Sequence, residues 1–122
     1  MADEVVKASP ESLIKRLREN RKCKVAVGKF TFFCRRPSDK EFADWYRAGR
    51  REAEIYLYNV IGWEGVTEND VIGGGGSDHI SFDIDLWHEW ASDRPDFWEP
   101  IVKCVLGAYR EHEKDMEAAE KK

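Results

Sequence analysis

The sequence predicts an α+β domain that is mainly α-helical: an N-terminal helix, one β-hairpin, then three helices in a single small domain. Three observations carry this. A length of 122 residues suits one domain. The stretch Lys22–Arg35 alternates apolar and polar residues about a Gly-Lys pair, the period of two that marks a strand pair. Apolar residues then recur at helical spacing, once over 42–60 and again over 98–109.

Residues 1–8 read as a loose terminus. Ser9-Pro10-Glu11 opens the first helix, with Ser at the N-cap and Pro at the first helical position. Leu13, Ile14 and Leu17 give it a short apolar stripe that ends near Arg21. With Gly28-Lys29 as a two-residue turn, Val27 pairs Phe30, Val25 pairs Phe32 and Cys23 pairs Cys34 on a wholly apolar face. Ala26–Thr31, Lys24–Phe33 and Lys22–Arg35 fall on the other, mostly polar face. Cys23 and Cys34 then form a hydrogen-bonded pair, a place that permits a disulfide without favouring it.

Pro37 stops the strand, and Ser38-x-x-Glu41 is a capping box for a long helix of about 22 residues, roughly 33 Å. Its stripe is Phe42, Trp45, Gly49, Ala53, Tyr56, Leu57 and Val60, with Gly49 and Ala53 small enough for a close neighbour and Gly62 as the stop. Residues 64–80, acidic and carrying four consecutive glycines, read as a flexible loop that is either functional or disordered. Ser81 or Asp83 opens a short helix with Phe82, Leu86, Trp87 and Trp90. After a break at "SDRPD", Asp96-x-x-Glu99 resembles a capping box for the last helix, with Pro100 at its fourth position. Trp98, Ile101, Val102, Val105, Leu106 and Tyr109 form its stripe, and residues 112–122 read as a fraying polar tail.

Composition narrows the function. No basic leader with an apolar run stands at the start, and no stretch approaches 18 apolar residues, so the expected setting is the cytosol without a membrane partner. Three cysteines, an odd number, argue against a disulfide framework. Net charge is −4, unevenly spread. Residues 1–63 carry 14 basic and 9 acidic groups, whereas 64–99 carry only Arg94 against ten carboxylates. Opposite sections of this kind either neutralise each other within one fold or drive head-to-tail self-association.

Catalytic and cofactor chemistry finds little purchase. His79, Asp83, Asp85 and His88 lie close in sequence, but their spacing matches no zinc or calcium template, so no metal is expected. The glycine run lacks the Gly-Lys-Ser/Thr of a phosphate loop. Cys34 and Cys104 sit in apolar patterns that predict inert buried thiols. The basic hairpin, with Lys22, Lys24, Phe33, Arg35 and Arg36, offers one aromatic on its polar face, too little for a nucleic-acid platform. The expectation is a non-enzyme with no cofactor. What stands out is the aromatic load of five Trp, four Tyr and six Phe. Core filling explains Trp45, Tyr56 and Trp98. Trp63, Trp87 and Trp90 sit at loop edges among charges, where aromatic side chains serve as partner contacts.

The segment 30–108 resembles the tail assembly chaperones of long-tailed bacteriophages. The resemblance lies in "FTFFCRRPSDKEF", a long helix, "VIGWEGV" with its Trp63-Glu64-Gly65-Val66 element, a variable acidic loop, "ISFDIDLWHEW", a Pro-containing break and a final helix. The family's step into the short helix has a proline before its Phe-Ser, whereas here it reads Ile80-Ser81-Phe82. The resemblance implies a protein that binds the tape measure protein in the host cytoplasm, self-associates, recruits tail tube subunits and is absent from the mature virion. Partner contacts are then expected at Trp63, Val66, Phe82, Trp87, Trp90, Arg35 and Arg36, with Trp63 partly buried as the anchor of a binding loop. A competing reading makes 64–99 the acidic face of a small inhibitor of a nucleic-acid-handling host complex.

Overall fold

The computed structural model describes residues 9–121, apart from the side chains of Glu52 and Ala53; the loose terminus expected over 1–8 and the close-packing role expected of Ala53 lie outside what is described. Helices predominate and surround one antiparallel sheet, the α+β class the sequence predicts. In chain order they are α1 (Pro10–Asn20), β1 (Lys22–Val27), β2 (Phe30–Arg35), α2 (Asp39–Arg47), α3 (Glu52–Asn59), β3 (Val60–Glu64), α4 (Glu68–Val71), α5 (Ile84–Ser92) and α6 (Pro95–Glu120). Strand order is β1-β2-β3.

The hairpin has the expected register in every pair from Lys22–Arg35 to Val27–Phe30. Its apolar face turns inward: Phe30, Phe32 and Cys34 are buried. The first helix also starts as read, Ser9 accepting from Ser12 N at 3.1 Å, and Ser38 and Glu41 close the capping box of α2.

The expected 22-residue helix is two helices and a strand. Gly49 ends the first with φ +70°, a conformation that costs a residue with a Cβ. Its N–H donates to Tyr46 O at 3.1 Å, and Arg50 N–H reaches back to Trp45 O at 3.0 Å, the paired bonds of a Schellman stop. The second helix, α3, runs only to Asn59. There Val60, Ile61 and Trp63, β-branched and aromatic, leave the helix, and Val60, Gly62 and Trp63 pair with β2. Gly62 is therefore not a helix stop but a strand residue lying under Phe33. A bulge makes this work. Phe33 faces Gly62 but Cys34 faces Val60, so Ile61 is the extra residue. Val60 and Trp63 are three apart, and a regular strand would point them to opposite faces; the bulge turns both inward.

The acidic loop is folded on itself. Thr67 caps the single turn of α4, Glu68 N–H donates to Asp78 O, Asn69 N–H to Gly76 O, and Ile80 N–H to Val66 O. The glycine run lies against that turn: a Cβ on Gly75 would come 2.7 Å from Glu68 Cγ. Lys29 Nζ, from the hairpin turn, meets Asp70 Oδ1 at 2.7 Å.

Asp83 is the N-cap of α5, accepting from Leu86 N at 2.9 Å. The last helix begins at Pro95 with Arg94 at its N-cap, two residues earlier than a cap at Asp96 implies. Asp96 sits in the first turn and holds Arg94 Nε and Nη2 at 3.0 and 2.9 Å, and Pro100 falls at the sixth position. The helix continues through Glu120, well past the end of its stripe, with every described side chain past His112 exposed. It packs against α3, β1, β2 and α5, and the core is one contiguous cluster between the sheet and these helices.

Gly49→Ala separates the two architectures by sign. In a continuous helix the alanine would add about 1 kcal/mol; at a left-handed helix stop it costs about 1 kcal/mol. Urea denaturation of the variant is expected to show the loss.

Candidate functional site

Trp63 projects from β3 into an aromatic cluster. Its Nε1–H donates to Ile80 O at 2.8 Å, which ties β3 to the far end of the acidic loop. Its ring meets Phe82 edge-on at 5.0 Å and Trp90 at 5.7 Å. Trp87 lies between Phe32, at 5.1 Å, and Phe97, stacked at 6.1 Å. Arg94 covers the outer side, its guanidinium 4.2 Å from the Phe97 centroid and 5.6 Å from that of Trp90.

The expected partner residues are thereby sorted. The structure does bring Trp63, Val66, Phe82, Trp87 and Trp90 together, but inside the protein. Relative exposure is 8% for Trp63, 1% for Val66, 0% for Trp87 and 7% for Trp90, and Phe82 is half-buried. Trp63 is thus buried rather than partly buried, and Trp87 and Trp90 are core residues rather than partner contacts. The reason is β3: its pairing with β2 completes an apolar sheet face wide enough to need α5 as a cover. Tyr56 is a core residue as expected, whereas Trp98 is half-buried against the core; both donate to the Ala91 carbonyl at the end of α5, at 3.2 and 2.8 Å.

Arg35 and Arg36 remain near the surface. Arg35 is held by a bidentate pair with Glu41, at 2.8 and 2.7 Å. That guanidinium, with the Ser38 N–H at 3.0 Å, pulls the Glu41 carboxyl down to about 2. Arg36 donates to Pro37 O at 3.0 Å. Both arginines border α1, the apolar surface that the sequence signals least.

The stripe of α1 is Leu13, Ile14 and Leu17, and all three are exposed, at 45, 47 and 55%. No residue of α1 is buried. Three depressions flank it. One of about 430 Å³ is formed by α1, including Ile14, Lys15 and Arg18, together with Lys22 at the start of β1. A second, of about 300 Å³, lies between its end and Arg35 and Ile61 on the outer side of the sheet. The third, of about 660 Å³, separates Leu17 and Arg21 from Ala108, His112 and Asp115 on α6. Arg36 and Asp39 line its floor. The Tyr109 hydroxyl, donating at 2.9 Å, lowers the Asp39 carboxyl, and His112 Nε2 stands 3.4 Å away. Around the stripe, the charged residues are Lys15, Arg16, Arg18, Arg21 and Lys22 against Glu11 and Glu19. A three-residue stripe on a short helix reads as core in sequence; only the lack of a covering element among the described residues marks it as surface.

The histidine and carboxylate group of 79–88 does not converge. His79 bridges Thr67, Asp83 caps α5, and His88 Nε2 lies 3.2 Å from Leu57 O. Among the described residues no group of three or more His, Cys, Asp and Glu side chains is arranged to hold a metal ion. Nor, among them, is any helix long and apolar enough to cross a membrane. The chain matches no protein-family model, no curated protein and no solved structure.

Two outcomes follow. Trp63→Ala is expected to cost about 3–5 kcal/mol in denaturant unfolding, whereas Tyr46→Ala, at an 81% exposed site, stays within about 0.5 kcal/mol. Glu41 is held at about 2 against an ordinary 4.5, so its stabilisation is complete above pH 4.5 and is lost as pH falls toward 2. Arg35→Met removes the cause, and thermal melts from pH 6 to 2 should show a shallower loss of stability over that window than the parent protein.

Proposed function

We propose that this chain is a non-enzymatic tail assembly chaperone of a long-tailed bacteriophage. It binds the tape measure protein in the host cytoplasm, self-associates, recruits tail tube subunits, and leaves before the virion is complete. The observation that carries this reading is α1: a helix with no buried residue, whose three aliphatic side chains stand among basic ones. A tape measure protein is a long helical chain that needs its apolar positions covered until the tube forms around it. An exposed amphipathic helix suits that task, since apolar anchors give grip while surrounding charges stay weak and salt-sensitive. The resemblance across 30–108 supports the same reading. The buried aromatics keep a structural part in it: Trp63 and Val66 fix the loop after β3, and Arg35 and Arg36 border the docking helix.

The competing reading, an inhibitor working through an acidic surface, draws support from Glu64, Glu68, Asp78, Asp83, Asp85 and Glu89, all exposed on one stretch of chain. Pull-down from infected cells separates the two: tape measure and tube proteins support the chaperone, a nuclease complex supports the inhibitor.

The direct test is Leu13→Ser/Ile14→Ser/Leu17→Ser. Because these sites are exposed, folding stability should change by no more than about 0.5 kcal/mol each. Co-purification with co-expressed tape measure fragments should be lost. Retained co-purification would remove α1 from the proposal.

A further inference from the structure

A basic and an acidic face stand on opposite sides of the molecule. Helix α5 covers the inner face of the sheet with Trp87, Trp90 and Ala91 and turns its other side away from it. That outward side carries Ile84, Asp85 and Glu89, all exposed, and the helix has no Lys or Arg. Lys22 and Arg35 point the other way. They form the cross-strand pair next to the inward pair Cys23–Cys34, and side chains alternate along a strand. With Arg18, Arg21 and Ile61 they line the depression of about 300 Å³ at the end of α1. The sheet and its aromatic core lie between this depression and the outward side of α5.

This separation prevents the two faces from neutralising each other within one chain. Local partners do not neutralise them either. Glu19 holds Lys22 at 2.8 Å and Glu41 holds Arg35 at 2.7 Å. Arg18 and Arg21 have no ion-pair partner among the described residues, and neither do Asp85 and Glu89. Each face also has one aliphatic side chain among its charges: Ile61 is 40% exposed and Ile84 42%. Asp85 and Glu89, four residues apart, share one side of α5. An isoleucine flanked by two carboxylates thus matches an isoleucine flanked by guanidinium groups, which bind carboxylates well.

We propose that the depression at the end of α1 receives helix α5 of a second copy of this chain, with Ile84 against Ile61 and Asp85 and Glu89 toward Arg18 and Arg21. The contact joins two different faces, so it is heterologous. Each copy that binds still presents a free depression on one side and a free α5 on the other, and copies add head to tail. Opposite fields steer the encounter and fix its orientation, and their contribution falls with salt. The inference rests on the self-association in the chaperone reading and names its surfaces. Leu13, Ile14 and Leu17 do not line the depression and are left to the tape measure protein.

The test uses the isolated full chain, so it can fail while tape measure binding stands, and succeed while that binding fails. Size exclusion with light scattering, over a concentration series, should show a mass that rises past the dimer at about 0.01 M salt. The mass should fall to the monomer at about 1 M, as the screening length drops from ~30 to ~3 Å. Arg18→Gln/Arg21→Gln blocks one face and Asp85→Asn/Glu89→Gln the other. Each variant should be monomeric alone, with an unchanged circular dichroism spectrum. Mixed one to one at low salt, they should form a heterodimer and nothing larger, because one intact face of each kind remains. A parent chain that stays monomeric throughout overturns the proposal, even if its basic face takes up nucleic acid instead. So does a closed dimer that never grows with concentration, oligomers formed by either variant alone, or a mixture that stays monomeric.

Discussion

The contact on which the rest depends is that of Phe32 with Trp87 and Phe97. Phe32 lies on the central strand, with ring distances of 5.1 Å to Trp87 and 5.0 Å to Phe97. It joins the sheet to α5 and α6 at one point. Large aromatic groups of this kind contribute several kcal/mol each when buried, and their offset and edge-on contacts add to the area term. The chain must bring residues 32, 87 and 97 together before any of them is covered, so the fold rests on long-range closure rather than on local helix strength. Once α3, α5 and α6 have covered the inner face, the apolar stripe of α1 stays outside the core. The helix that is most legible in sequence is therefore the one the core does not use.

That outcome explains what sequence reading reached and what it missed. The hairpin was legible because a two-residue turn fixes the parity of both arms, and parity alone places Phe30, Phe32 and Cys34 on one face. The caps at Ser9 and Ser38 were legible because the side chain and the backbone N–H that donates to it are local. The break at Gly49 was written in the sequence as a glycine after Arg47 and Ala48, but the apolar stripe continues at helical spacing on both sides and masks it. β3 was not legible for a different reason. Val60 and Ile61 extend the stripe of α3, and the bulge that turns Val60 and Trp63 inward exists only against β2. Periodicity reports which side chains share a face of a helix, not whether another element covers that face. Trp87 and Trp90 were covered and Leu13, Ile14 and Leu17 were not, and both assignments needed the tertiary arrangement.

The charge division survives folding, with one local exception. The basic residues of α1 and the hairpin stay on the outside, as do most carboxylates of the acidic loop and α5. Lys29 and Asp70 link the two sections, and that lysine holds the Asp70 carboxyl down to about 2. Self-neutralisation thus accounts for the hairpin turn but leaves the rest of both charged sections facing solvent. Surface fields of opposite sign steer encounters and fix orientation more than they add affinity. The exposed apolar stripe of α1 supplies the kind of contact that gives grip, set within the basic section.

The claim that the core closes without α1 is tested most directly by hydrogen exchange of backbone amides in the dilute monomer. Helices of this length are marginal in water when nothing packs on them. The amides of Phe30–Arg35 should exchange only through global unfolding, whereas those of Leu13–Asn20 should exchange orders of magnitude faster through local opening. Equal protection of the two segments would show that α1 belongs to the core and would contradict the account.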